Sequence, residues 1–410
     1  MEVRINVSDT VKTLLEKGVR IVNPLMVEIS EDIDPDRISG DGVVLYPGTR
    51  LCGATTAICA GAQLGYEAPV VVEDCQIGPD VKLKGGYFQK ATFLRGANMC
   101  MGAHVREGCL LEEEAGGAHT VGIKQTILFP FVTLGSLINF CDCLMAGGTS
   151  RKNHSEVGSS FIHFNFTPEA DKTTASLLGD VPRGVMLRQP PIFLGGQGGI
   201  VGPVHMGFGT VSAAGSVLRH DVPEDNQLVV EGLPRSVRKP FMPRRYPTLA
   251  RVLANNVLYV ANLLALTEWY RSVRRDFFSR APLGSLLYEG ALDKLARAKQ
   301  ERLKRLEAMA DKMSDSIAAD EDDAAAKRQF HEGYAELAAV FSAGFEQNTD
   351  AAKRDEFLAA CRGAASDDYV TAIQSLDEKT VATGTAWLQS IVDEVMEAAW
   401  QILPAFRPRT

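Results

Sequence analysis

Two hydrophobic rhythms divide this chain of 410 residues. Up to about residue 240, an aliphatic residue followed by glycine recurs with a loose period of six. Examples are Leu64-Gly65, Ile77-Gly78, Met101-Gly102, Val121-Gly122, Leu134-Gly135, Val157-Gly158, Leu178-Gly179 and Leu194-Gly195. A hexapeptide period predicts a parallel β-helix, in which each step supplies one short strand and one turn. The aliphatic side chain points into a prism, and three steps make a coil of about 18 residues whose neighbours cover its edges. The glycine beside it is expected to turn the corner at positive φ. A β-sandwich would instead show clean alternation with turn signals every ~8–12 residues.

The second rhythm is helical. In LDKLARAKQERLKRLEAMADKM, Leu292, Leu295, Leu303, Leu306 and Met309 recur every three or four residues with charges between them, the mark of an amphipathic helix. Between the two regions, RSVRKPFMPRRYP carries three prolines and reads as a linker, since proline interrupts helix and strand alike. The expected protein is mainly β: a helical arm over residues 1–40, a β-helix over 41–235 and an all-α domain over 247–410. The acidic run Asp320 to Asp323 is expected in an exposed turn between helices. The apolar face of LARVLANNVLYVANLLALTEWYRSVRRDFF suits packing against the β-helix or a protein partner, so docking or oligomerisation is the default role of the helical region.

Composition sharpens this division: of 37 glycines, 31 precede residue 241. A net charge of −8 leaves no excess of cations to neutralise phosphate backbones, so no nucleic-acid partner is expected. The most apolar stretch, Val257 to Leu266, is short for a bilayer span and contains Asn262, and the first residues lack the layout of a secretory leader. A cytoplasmic protein with no membrane partner is the expectation. Eight cysteines include no CxxC pair. His104, His119, His154, His163 and His205 are spaced by 15, 35, 9 and 42 residues. Neither set supplies a close ligand pair, and no metal site is expected.

Three segments between Leu14 and Val222 carry a family resemblance. The first is LLEKGVRIVNPLMVEISEDIDPDRISGDGVVLYPGTRLCG, with a "G-V-x-I-x-[DN]-P" pattern at Gly18 to Pro24. The second is SEVGSSFIHFNFTPEADKTT, and the third is the ungapped run IFLGGQGGIVGPVHMGFGTVSAAGSVLRHDV. They resemble the left-handed β-helix acetyltransferase half of the bifunctional N-acetylglucosamine-1-phosphate uridyltransferase/glucosamine-1-phosphate acetyltransferases. The left hand is implied by that resemblance alone. So are a homotrimer with its sites between prisms, and acetyl-CoA as co-substrate. The implied activity is acyl transfer to an amino sugar phosphate or sugar nucleotide. The family's uridyltransferase half needs a Rossmann-like domain ahead of the arm. About ten residues stand there in this sequence, so nucleotidyltransferase activity is not expected.

The resemblance also places site residues. Arg106 and Lys124 stand for the family's phosphate-binding pair and lie 18 residues apart, one coil, so they should stack on one edge. Asn165, Phe166 and Lys172 stand for acceptor contacts, with Phe in place of the family's Tyr. Gly195, Gly196, Ala213 and Ala214 fall where the family's chain lines acetyl-CoA. The same small residues also suit any tight coil. A general base is needed to take the proton of the attacking amine. Matching RKNHSEVG to the family's pattern makes His154 that base, whereas counting twelve residues from Lys124 reaches Ser136 and implies its loss. His163 is expected to face outward from the prism. The alternative function is a non-catalytic sugar-nucleotide-binding or scaffold protein with a degenerate site.

Overall fold

Inward-facing side chains stack on one another from coil to coil, and these stacks define the β-helix. The computed structural model describes residues 7–232, 236–343, 350–362 and 366–408. On the first prism face the register runs Leu45, Leu64, Leu83, Met99, Gly117, Leu134, Val157, Leu194. On the second it runs Leu51, Val72, Phe88, Val105, Ile123, Phe140. On the third it runs Ile58, Ile77, Phe93, Leu111, Leu128, Met145, Leu178. Burying each large apolar side chain of such a stack contributes about 1.5–3 kcal/mol. The strands of the three faces are parallel and make about eleven coils, with which a left hand is consistent. Helix Asp9–Glu16, whose first turn is capped by Ser8, buries Val11 and Leu14 beside the first coil.

Glycine serves the coils in two ways rather than the one expected. Gly65, Gly102 and Gly179 do turn at positive φ, but Gly78, Gly135, Gly158 and Gly195 do not. A Cβ on those four would lie 2.7 Å from Phe93 O, 2.9 Å from Ser159 N, 2.4 Å from Gly196 N and 2.4 Å from Ala214 N. Their role is close approach of the next coil. Left-handed turns fall instead on residues such as Asp80, Leu137, Ser160 and Gln197.

The third face differs from the other two because its outward side is buried as well. Gln76, Thr92, Leu110, Ile127, Leu144 and Leu177 point away from the prism, yet all are covered. The cover is the helical region. Helix Gly284–Ala310 packs on strands Gln76–Ile77, Ala91–Phe93 and Cys109–Leu111, and helix Leu249–Trp269 packs on Ser176–Leu178. Helix Glu378–Ile402 lies against Leu249–Trp269. No helix or strand lies between Ser236 and Thr248, and the expected β-helix end at residue 235 is outside the described residues. The acidic run does fall between two helices, Met313–Ala319 and Ala324–Ser342. Glu321, Asp322 and Asp323 are exposed there, while Asp320 is half-buried and pairs with Arg245 of the linker at 2.5 Å.

Polar groups fix how the helices sit on the prism. Asn262, in the middle of the apolar run, accepts from the amide of Val181 at 2.9 Å, and Asn256 donates to Thr173 O at 3.0 Å. Arg302 pairs with Asp142 at 2.8 Å, and Lys294 donates to Gln76 Oε1 at 3.3 Å. The deepest pair is Arg274 with Glu113, at 2.5 and 3.1 Å, both buried. The guanidinium also lies over the Tyr369 ring, 3.6 Å from its centroid. The continuous helical stretch Leu249–Ser279 is long and apolar enough to cross a membrane, contrary to the expectation from Val257 to Leu266. Its most apolar window is 67% buried within the protein, as in a core helix.

Two outcomes test this interface. Arg274→Met leaves Glu113 buried without its cation, which typically costs about 3–5 kcal/mol; the denaturant midpoint should fall accordingly. The neighbouring Glu112 accepts from Tyr270 Oη at 2.5 Å, and burial pushes its carboxyl up to about 7 although Arg274 works against the rise. Between its ordinary value of 4.5 and about 7, the folded chain holds a proton that the unfolded chain has released. Stability therefore falls as pH rises through that window. Glu112→Gln should flatten this slope, read from urea melts at a series of pH values.

Candidate functional site

The second face carries the exposed chemistry. His104, Gly122, Asn139 and Ile162 are in register along its outer side. His104, Asn139 and Ile162 are exposed, and nothing lies within 3.7 Å of where a Gly122 Cβ would sit. The face is therefore open at Gly122 and bounded by two corners.

At the corner toward the third face, the expected phosphate-binding cations come together. The amide of Arg106 donates to Ile123 O at 2.9 Å, which places it beside Lys124. Arg106 Nη2 lies 3.6 Å from Cys141 Sγ, and Lys124 pairs with Glu107 at 2.6 Å. Burial is the largest single influence on the Glu107 carboxylate and works against it, but the Lys124 bond, its own backbone amide and the charges of Lys124 and Arg106 together hold the group below its ordinary range. Asn165 joins this corner by donating to Asp142 at 3.3 Å. Phe166, 74% exposed, and Lys172, left-handed at φ 56°, lie farther along the same loop.

The corner between the first and second faces is a stack of turns. Leu137 N donates to His119 O, Ser160 N to Ser136 O, Gln197 N to Ser159 O and Gly215 N to Gly196 O, at 2.8–3.1 Å. His119 Nδ1 and Ser136 Oγ are 2.9 Å apart, and the Ser136 amide donates to Ser159 Oγ at 3.2 Å. Gly195, Gly196, Ala213 and Ala214 continue this corner over later coils. Gly195 is buried, Gly196 and Ala213 are half-buried, and Ala214 is exposed. Coil packing alone requires Gly195, whose Cβ would meet Ala214 N. The small, more accessible residues beside it leave a smooth edge to the face.

His154 does not lie on either corner. It closes a hairpin of Gly148–Ser150 with Asn153–His154, inserted between the third face and the first. Its Nδ1 lies 2.9 Å from Arg151 O and its Nε2 3.7 Å from Glu156. The hairpin lengthens this coil, so Thr133 is in register with Glu156 rather than with a residue 18 positions on. Ser136 consequently meets Ser159, and the spacing that linked it to His154 has no spatial counterpart. The expectation for His163 is also corrected. Asn139 pairs with Ile162, so His163 takes the inward position next to Phe140. It is buried against Ser176 Oγ at 2.7 Å, and burial lowers its pKa to about 4.

Sequence spacing passes over His119, although it precedes Ser136 by 17 residues, one uninterrupted coil. It is an exposed imidazole that the fold sets on the same corner as Gly196 and Ala214.

No family model matches the chain. Over 213 residues it is 26% identical to Bifunctional protein GlmU of Thermotoga maritima, covering 52% of this chain and 42% of that protein. Over 216 residues it is 25% identical to the protein of that name from Exiguobacterium sibiricum, covering 52% and 41%. The match thus spans less than half the length of these relatives. It falls on their acetyltransferase part, in keeping with the resemblance seen in the sequence. A solved UDP-N-acetylglucosamine acyltransferase from Campylobacter jejuni is 13% identical, covering 50% of this chain and 68% of that one. Its TM-score of 0.15 is too low to bear on fold or function.

The close stacking of corners predicts opposite results for two glycines. Gly158→Ala forces a Cβ to 2.4 Å from Gly196 N, and such overpacking costs about 1–3 kcal/mol. A Cβ at Gly122 would meet only Ile138 O, at an ordinary contact of 3.7 Å, so Gly122→Ala should leave the denaturant midpoint unchanged or raise it slightly.

Proposed function

We propose that this chain is an acyl-CoA-dependent acyltransferase whose acceptor is an amino sugar phosphate or a sugar nucleotide. The observation that carries the reading is the second face, with paired cations on one corner and an exposed histidine on the other. The strand between them spans roughly 10 Å at ~3.3 Å per residue, and side chains from both corners can reach a sugar lying over Gly122. Arg106 and Lys124 hold the phosphate, which competes with Glu107 for Lys124. His119, rather than His154, takes the proton lost by the acceptor. Asn165, Phe166 and Lys172 complete the acceptor side. The acyl-CoA arm follows Gly195, Gly196, Ala213 and Ala214, where small residues admit it close to the backbone. Assembly as a homotrimer belongs to the same reading, because the covered third face leaves the first and second faces for neighbouring prisms.

The alternative, a sugar-nucleotide-binding or scaffold protein, is favoured by Ser136 standing twelve residues after Lys124 and by the remote place of His154. Release of free thiol from acetyl-CoA in the presence of glucosamine-1-phosphate separates the two. His119→Ala should lower kcat by ~10²–10⁴-fold, and Lys124→Ala should chiefly raise KM for the acceptor. His154→Ala should leave kcat unchanged; loss of turnover in that variant alone would return the base to His154. Sugar-phosphate binding without turnover by the unaltered protein would favour the scaffold.

A further inference from the structure

We infer that Ser136 carries the acyl group transiently, so that transfer runs through a serine ester with His119 as its base. The inference rests on the acyltransferase reading and adds a covalent step to it. A serine hydroxyl becomes a useful nucleophile when a positioned base takes its proton. His119 Nδ1 is 2.9 Å from Ser136 Oγ, within the reach that such a pair requires. With the ring proton on Nε2, Nδ1 is the acceptor in this contact.

The backbone holds the hydroxyl at an accessible point. Ser136 lies between Gly135, where a Cβ would come within 2.9 Å of Ser159 N, and Leu137, left-handed at φ 60°. Its amide is tied to Ser159 Oγ at 3.2 Å, and its carbonyl accepts from Ser160 N at 2.8 Å. A sharp turn of this kind presents a side chain outward, as strained turns do for nucleophiles in other folds. Ser136 is half-buried and His119 exposed, so a thioester on the Gly196 and Ala214 side of the corner has access to both.

The chemistry balances without a further reagent. Ser136 Oγ forms a bond to the thioester carbonyl carbon while its proton passes to His119. The C–S bond breaks, and the departing thiolate takes that proton to leave as the free thiol. The acceptor amine then attacks the ester carbon and gives a proton to His119. The C–O bond breaks, and the proton returns to Ser136.

The full chain incubated with acetyl-CoA alone, quenched in acid and mapped by mass spectrometry, tests this. The expected result is one acetyl group per chain on Ser136, with an equal amount of free thiol released before acceptor is added. Ser136→Ala should abolish the adduct while keeping its thermal midpoint, Ser136→Cys should restore an adduct as a thioester, and His119→Ala should slow acylation by ~10²-fold or more. Transfer to an amino sugar phosphate by Ser136→Ala at the unaltered rate, with no adduct on the unaltered protein, overturns the ester and leaves the acyltransferase reading standing. An adduct on Ser136 that no amine discharges supports the ester and overturns the proposed acceptor. Absence of both the adduct and any transfer overturns the ester and the acyltransferase reading together.

Discussion

Every coil must place its inward side chains on those of the coil below, and this one constraint decides what meets what on the surface. A residue's corner is set by how many positions its coil spends between two stacked strands. Arg106 and Lys124 meet because Val105 is in register with Ile123. His154 misses them because the coil carrying it holds an inserted hairpin. The chemistry of the second face is therefore a consequence of coil length before it is one of residue type.

The helical region acts on the same prism by subtraction. It covers one face with Leu249–Trp269 and Gly284–Ala310 and locks it through Arg274–Glu113 and Arg302–Asp142. Buried pairs of this sort give orientation more than net stability, since desolvation offsets much of their attraction. Asn165 is part of this arrangement through Asp142. The helices thereby set one border of the candidate site without supplying its exposed groups.

The period of six made the β-helix legible; the cation pair was implied by the family resemblance, and the uninterrupted coil from Arg106 to Lys124 keeps it on one corner. Other features were hidden for definable reasons. In FIHFNF the wholly apolar phase is Ile162, Phe164 and Phe166, which reads as apolar-in with His163 outside, yet the pairing of Asn139 with Ile162 turns those three outward and His163 inward. Leu137, Ser160 and Gln197 turn left-handed without being glycine, so the corners could not be counted from glycines. The covered face did leave a mark. Leu110-Leu111, Ile127-Leu128, Leu144-Met145 and Leu177-Leu178 are doubled apolar pairs where a face open to water would need only one.

The inserted hairpin spanning residues 148–154 and the stretch between Leu178 and Phe193 both leave the prism before the first face resumes in register. Length added at that border is absorbed outside the ladder, so the coils above and below keep their alignment. The same addition within a strand would displace every side chain beyond it. This border accepts added loops, and a new recognition element could be built there while the cation pair and the histidine corner stay where they are.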